Sequence, residues 1–176
     1  IKNNLYDKAS KSYLKKVLLN LKDFKKSKLI LPLNSHYLND LQKLQIYLRN
    51  ILRIKNTNTE ISFEIDCDIK KNLDFIKNLN IPNVGITFDI GNIFLKNRSP
   101  EKYFLKIYKY VNHIHIKDRS PNGKNVSLGS GLINFKNFFY TLEKKNLKCS
   151  ITLETYRKYT PITSAFLNLD YIKRLM

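Results

Sequence analysis

Two histidines, a lysine and an aspartate crowd into residues 113–118, "HIHIKD", of a chain that has three histidines in all. A run carrying three of the chain's five glycines follows, with Gly123, Gly129 and Gly131 in "GKNVSLGSG". Alternation within the first segment is the useful signal, because side chains i, i+2 and i+4 of a strand share one face. His113, His115 and Lys117 therefore oppose Ile114 and Ile116. The same design recurs three more times. Ser62 and Glu64 oppose Ile61, Phe63 and Ile65 in "ISFEI"; Gly85, Thr87 and Asp89 oppose Ile86 and Phe88 in "GITFD"; Ser150, Thr152 and Glu154 oppose Ile151 and Leu153 in "SITLE".

Taken singly, Glu64, Asp89 or Glu154 at a strand end reads as a solvated loop residue, and His113 as a hydrogen-bonded interior histidine. Taken together, Glu64, Asp89, His115 and Glu154 at or near the carboxyl ends of neighbouring strands are three carboxylates and an imidazole. That set suits one divalent cation that accepts oxygen and nitrogen donors, such as Mn²⁺, Mg²⁺, Co²⁺ or Zn²⁺. Without a cation, three adjacent carboxylates would repel one another and raise their own pKa values. His36, in "LNSHYL", reads as a loop residue.

The elements that must position these groups follow from periodicity. Leu14, Val17, Leu18 and Leu21 mark a one-sided helix, followed by the strand-like "KLILPL". Leu41, Leu44, Leu48, Ile51 and Leu52 mark a second, entered through an Asn39 cap and leading to "EISFEID". "DIKKNLDFIKNL" leads to "VGITFDI"; "SPEKYFLKIYKYV", with Ser99 as cap and Pro100 at the first helical position, leads to "HIHIKD"; "NFKNFFYTLEKKN" leads to "CSITLET". A last helix lies near "LNLDYIKRLM". Strands alternating with helices imply βαβ units and a parallel sheet. A strand covered by helices on both sides should be apolar on both faces, and these are not, which fits a barrel interior turning polar towards its mouth. About five strands are legible, against the eight of a closed barrel.

The 176 residues, 43% apolar, suffice for one domain with a core, and no linker divides them. Cys67 and Cys149 match no zinc or redox spacing. No apolar run approaches the ~20 residues that span a bilayer, so the expectation is a soluble, cytoplasmic chain without a membrane partner. It begins with Ile rather than Met, which leaves room for an upstream part. The net charge of +18 is spread over every helical segment, alongside abundant Asn and Ile. Compositional bias accounts for it as well as a nucleic-acid-binding face does.

"HIHIKD" followed by "VSLGSGLINFKNFFYTLEKKNLKCSITLETY" resembles the carboxyl-terminal part of the sugar-phosphate isomerase/epimerase family, the xylose-isomerase-like TIM barrels. "VGITFDIGNIF" is similar to its strand-six motif and "ISFEID" to the strand with its first glutamate. The resemblance implies an α/β fold, a partial (β/α) TIM barrel holding strands four to eight. A missing amino-terminal segment or a partner chain would complete it, since open sheet edges are a liability. It also implies that Glu64, Asp89, His115 and Glu154 are the metal ligands, with Glu64 and Glu154 exchanging a proton on opposite faces of a small sugar or sugar-phosphate. Asn92 stands where the family often has a histidine. With His113, Lys117 and Arg119 it completes the candidate substrate-binding set, and Gly129 and Gly131 would supply positive φ and close approach to a ligand in a flexible loop beside the mouth.

Three functions remain distinct on this reading. The first is a divalent-metal-dependent isomerase or epimerase working by proton transfer next to a carbonyl. The second is an endonuclease IV-like enzyme acting on abasic DNA, disfavoured by the three histidines and by Asn92. The third is a non-catalytic remnant or subunit of the same barrel.

Overall fold

The computed structural model describes residues 8–21, 23–33, 41–55, 59–65, 68–97, 99–156 and 160–176. His36, Asn39 and Cys67 lie outside the described residues. Two compact units divide the chain, Ile1–Ile86 and Thr87–Met176.

The first unit alternates helix α1 (Lys8–Leu21), strand β1 (Ser27–Leu33), helix α2 (Leu41–Lys55), strand β2 (Thr59–Ile65) and helix α3 (Ile69–Leu79), and it ends in strand β3 (Val84–Asp89). β1 and β2 are parallel, in register from Ser27 opposite Thr59 to Leu33 opposite Ile65. The turn before β3 joins this ladder where Ile61 N donates to Asn83 O at 2.8 Å. Leu14 and Leu18 of α1 and Leu44 and Leu48 of α2 are buried, as their spacing requires. Phe63 meets Phe75 of α3 edge to face at 5.5 Å, so the apolar face of β2 is its helix-covered face. By alternation, Ser62 and Glu64 face the other way.

Helix α3 starts where Asp68 Oδ1 accepts from Lys71 N at 2.9 Å, and it ends at Asn80 in the left-handed region (φ 38°). Gln45 Nε2 of α2 donates to the last α3 carbonyls, Asn78 O and Leu79 O, at 2.9 and 3.0 Å. Asp68→Ala is expected to cost about 1 kcal/mol, the usual worth of an N-cap. An unchanged urea midpoint would show that the cap contributes nothing.

In the second unit the end of β3 runs directly into helix α4 (Ile90–Asn97), then helix α5 (Pro100–Ile107), a 3₁₀ turn (Tyr108–Tyr110), strand β4 (Val111–Ile116), the short strands β5 (Asp118–Arg119) and β6 (Asn125–Val126), helix α6 (Phe135–Lys144), strand β7 (Ser150–Leu153) and helix α7 (Pro161–Lys173). Patterning carries the strand to Ile90, in "VGITFDI", and does not anticipate α4, which begins at that residue. Ser99 holds the expected cap position of α5 with Pro100 first in the helix, but its side chain makes no capping bond. Pro100 removes one of the amides a cap would serve.

Phe88 of β3 packs against Phe104 of α5 at 5.3 Å and stacks on Phe138 of α6 at 5.5 Å. Its face is thus the helix side, and Thr87 and Asp89 face away from the helices. β4 and β7 are parallel, with His113 opposite Ser150 and His115 opposite Thr152. The five long strands follow the order β1-β2-β3-β4-β7, while β5 and β6 form a separate antiparallel ribbon.

Candidate active site

Within the second unit, three strand ends bring Asp89, His115, Lys117 and Glu154 together. Asp89 is the last residue of β3 and also caps α4, its Oδ1 accepting from Asn92 N at 3.0 Å. That bond fixes the carboxylate plane. Beyond the end of β7 the ladder gains one more bond, Glu154 N to Ile116 O at 2.9 Å, which holds Glu154 level with the end of β4. His115, buried on β4, directs Nδ1 towards both acids, 3.4 Å from Glu154 Oε1 and 3.9 Å from Asp89 Oδ2.

Lys117 Nζ bridges the same two carboxylates, 2.5 Å from Asp89 Oδ2 and 2.6 Å from Glu154 Oε2. Asp89 and Lys117 are almost enclosed, at 3% and 10% side-chain exposure, whereas Glu154 keeps 41% and opens the group to solvent. Burial by itself lowers the Lys117 pKa. Hydrogen bonding and charge attraction from Asp89, and then from Glu154, outweigh it, so the ammonium is held above its ordinary value.

The donor set fits a divalent cation. Ligand atoms about 2.0–2.2 Å from a zinc-like ion stand roughly 3–3.5 Å from one another. The His115–Glu154 separation lies in that range and the His115–Asp89 separation is a few tenths of an ångström outside it. Glu64 is the penultimate residue of β2, in the first unit, on the strand face turned away from Phe75.

The remaining candidates have other partners. Arg119 donates from one terminal nitrogen to Asn92 Oδ1 at 2.7 Å and from the other to Gly123 O at 3.2 Å. His113 stands one step below His115, its ring edge-on to that imidazole at 5.1 Å. Its two nitrogens are hydrogen-bonded to Ser150 Oγ (2.7 Å) and Thr152 Oγ1 (3.1 Å). The buried ring therefore locks β4 to β7 and supports His115.

The glycine run departs from expectation. Gly129 has positive φ (82°), as does Gly123 (80°), but Gly131 does not. What the two glycines approach is the protein itself. A Cβ on Gly131 would overlap Asp118 Oδ1, and one on Gly129 would lie 2.5 Å from the Tyr171 ring. The Asp118 carboxylate, fully buried, accepts from Arg119 N (2.8 Å), Gly129 N (3.0 Å), Gly131 N (2.8 Å) and Ile133 N (3.3 Å). Leu128 N donates in turn to Asn168 Oδ1 of α7 at 3.1 Å. The loop is fastened on both sides. Asp118, Asn168 and Gly91 carry structure here that sequence patterning did not single out. The one available cue was an Asp directly after the strand with small residues ten or so positions on.

A protein-family model described as xylose isomerase-like TIM barrel matches residues 41–175. The chain belongs to the xylose isomerase-like TIM barrel family. Its five parallel strands, alternating with helices, are a partial barrel of that fold. A xylose isomerase domain protein from Planctomyces limnophilus superposes with a TM-score of 0.76 at 22% identity, over 95% of this chain and 64% of that one. The probable 3-DHS dehydratase AsbF of Bacillus anthracis gives 0.76 at 15% identity, over 97% and 72%. The D-allulose 3-epimerase of Methylomonas sp. with bound D-allulose gives 0.71 at 18%, over 94% and 68%. At these identities the likeness is one of fold. The chain spans less than two thirds of the length of the Planctomyces protein. A comparison with curated proteins found no match. Among the described residues of this xylose isomerase-like chain, no helix is long and apolar enough to cross a membrane.

Proposed function

We propose that this chain supplies the proton-transferring portion of a divalent-metal-dependent sugar isomerase or epimerase, acting next to a carbonyl. The observation that carries the reading is the grouping of Asp89, His115 and Glu154 at the ends of β3, β4 and β7. Glu64 joins them in this proposal on its strand parity, as the penultimate residue of β2 on the face turned away from Phe75. Mn²⁺, Mg²⁺, Co²⁺ or Zn²⁺ are the cations this oxygen-rich set suits. Such a cation, when bound, polarises a substrate carbonyl and acidifies the neighbouring C–H.

The chain's own groups then divide the work. Glu154, more accessible than Asp89, takes or returns the proton, with Glu64 as its counterpart on the other side of the substrate. Asp89, held by the α4 cap bond, fixes its carboxylate without reaching for substrate. Arg119 and Asn92, already paired, present a polar edge to sugar hydroxyls or a phosphate. Small sugars, of the kind the D-allulose 3-epimerase neighbour is named for, and sugar-phosphates are the substrate class proposed, and a further chain segment or a partner chain completes the barrel. The compartment proposed is the cytoplasm.

Solvent hydrogen exchange tests the reading. Incubation with a panel of ketoses in deuterated water, at saturating Mn²⁺, should label the carbon next to the carbonyl. Absence of label from every ketose would favour a non-catalytic remnant. The endonuclease reading has its own check. With the +18 charge spread along the chain, binding to an abasic-site duplex at physiological salt is expected to be no tighter than about micromolar and indifferent to the lesion. Lesion-specific binding at nanomolar concentration would replace the sugar reading with DNA repair.

A further inference from the structure

We propose that Lys117 is a built-in counter-ion that competes with the divalent cation for Asp89, and so sets the metal affinity of the site. The inference rests on the metal reading above and adds a residue to it. Its basis is that one oxygen serves two neighbours. Asp89 Oδ2 lies 2.5 Å from Lys117 Nζ and is also the Asp89 oxygen near His115 Nδ1. An ion shared by His115 and Asp89 would bond that oxygen at about 2.1 Å. It would then lie within roughly 4 Å of the ammonium, a like-charge contact in a nearly enclosed setting. Ammonium and cation therefore compete for Asp89 Oδ2, and metal binding favours a lysine that swings off it; at Glu154 the two neighbours face different oxygens, Oε1 and Oε2.

The lysine's place is prepared by Gly91, the second residue of α4. A Cβ there would overlap Lys117 Cγ and lie 2.9 Å from Cδ, so the side chain crosses the bare Cα to reach Asp89. Any other residue at position 91 would push the stem aside. Lys117 thus offsets part of the charge of Asp89 and Glu154 while no metal is bound, easing the repulsion that two adjacent carboxylates would otherwise suffer. It does so with one charge on a flexible stem that can withdraw.

The test measures Mn²⁺ binding by calorimetry and metal-free thermal stability for the full chain and for two variants, Lys117→Met and Gly91→Ala. The methionine keeps the stem and removes the charge. Alanine at 91 removes no ionisable group but displaces the stem. Both variants are expected to bind Mn²⁺ about tenfold more tightly or better than the parent, and Lys117→Met to melt at a lower temperature without metal. If the parent binds Mn²⁺ and neither variant binds it more tightly, the competition is refuted while the metal reading stands. A Lys117→Met variant that binds more weakly would make the lysine a mere support of the site and would equally refute the competition. If none of the three takes up Mn²⁺ at millimolar concentration, both the competition and the metal reading fall.

Discussion

Glu154→Gln is expected to slow solvent exchange of a ketose substrate by about 10²-fold or more at saturating Mn²⁺, with little loss of stability. The two halves of that expectation come from the same geometry. Glu154 is anchored by its own amide to Ile116 O, so the backbone that presents the side chain is unaffected by the change. The carboxylate is 41% exposed, and solvent screening limits what its contact with Lys117 adds to folding, on the order of 0–1 kcal/mol. Glutamine preserves size and hydrogen bonding but cannot accept the proton. Metal affinity should also fall, which is why saturation must be shown separately for the variant. Glu64→Gln provides the matched control: in a two-base epimerase each variant loses exchange from only one of the two epimers. Equal loss from both epimers in both variants would show that the two glutamates share a role in holding the cation instead. Exchange at the parental rate in Glu154→Gln would remove Glu154 from the chemistry.

How much of this arrangement the sequence discloses depends on what each residue answers to. The strands carrying Ser62, Thr87, His115 and Thr152 were legible because alternation has a period of two and needs no knowledge of partners. The five long strands accordingly fall where patterning placed them. Helix α4 was not legible: Asp89 ends a strand and caps a helix at once, leaving no turn residues between the two periods. β5 and β6, two residues each, are too short to show any period. Side-chain destinations fared differently again. His113 could be recognised as a strand residue, but its partners, Ser150 and Thr152, follow from the register of β4 on β7, which local pattern does not set. The reach of Lys117 to two acids depends on Gly91, a residue whose importance is the absence of an atom. Gly131 was recognised as a place of close approach, but the group approached, Asp118, answers to backbone amides that leave no residue-type signature.

That carboxylate is where the largest loss of stability is expected. Asp118→Ala should destabilise the chain by about 2–4 kcal/mol, because a buried amide left without its acceptor costs roughly 1–3 kcal/mol, the part-buried ones cost less, and the losses do not add in full. Asp118→Asn is the sharper variant. Oδ1 receives Arg119 N and Ile133 N, while Oδ2 receives Gly129 N and Gly131 N. An asparagine must turn its NH₂ group towards one of these pairs, donor against donor, whichever way the amide is flipped. It should therefore lose nearly as much as alanine, although it fits the volume. The loss would spread from the loop to the site, since Asp118 follows Lys117 directly and Leu132 N is bonded to Arg119 O at 2.9 Å. Freed of its anchor, the loop no longer holds Arg119 against Asn92. Urea unfolding gives the energy, and amide hydrogen exchange gives the place: the Gly129 and Gly131 amides should lose protection well before those of β4. A parental urea midpoint in Asp118→Asn, with both glycine amides still protected, would show that the loop is secured by its contacts with Asn168 and Tyr171 rather than by Asp118.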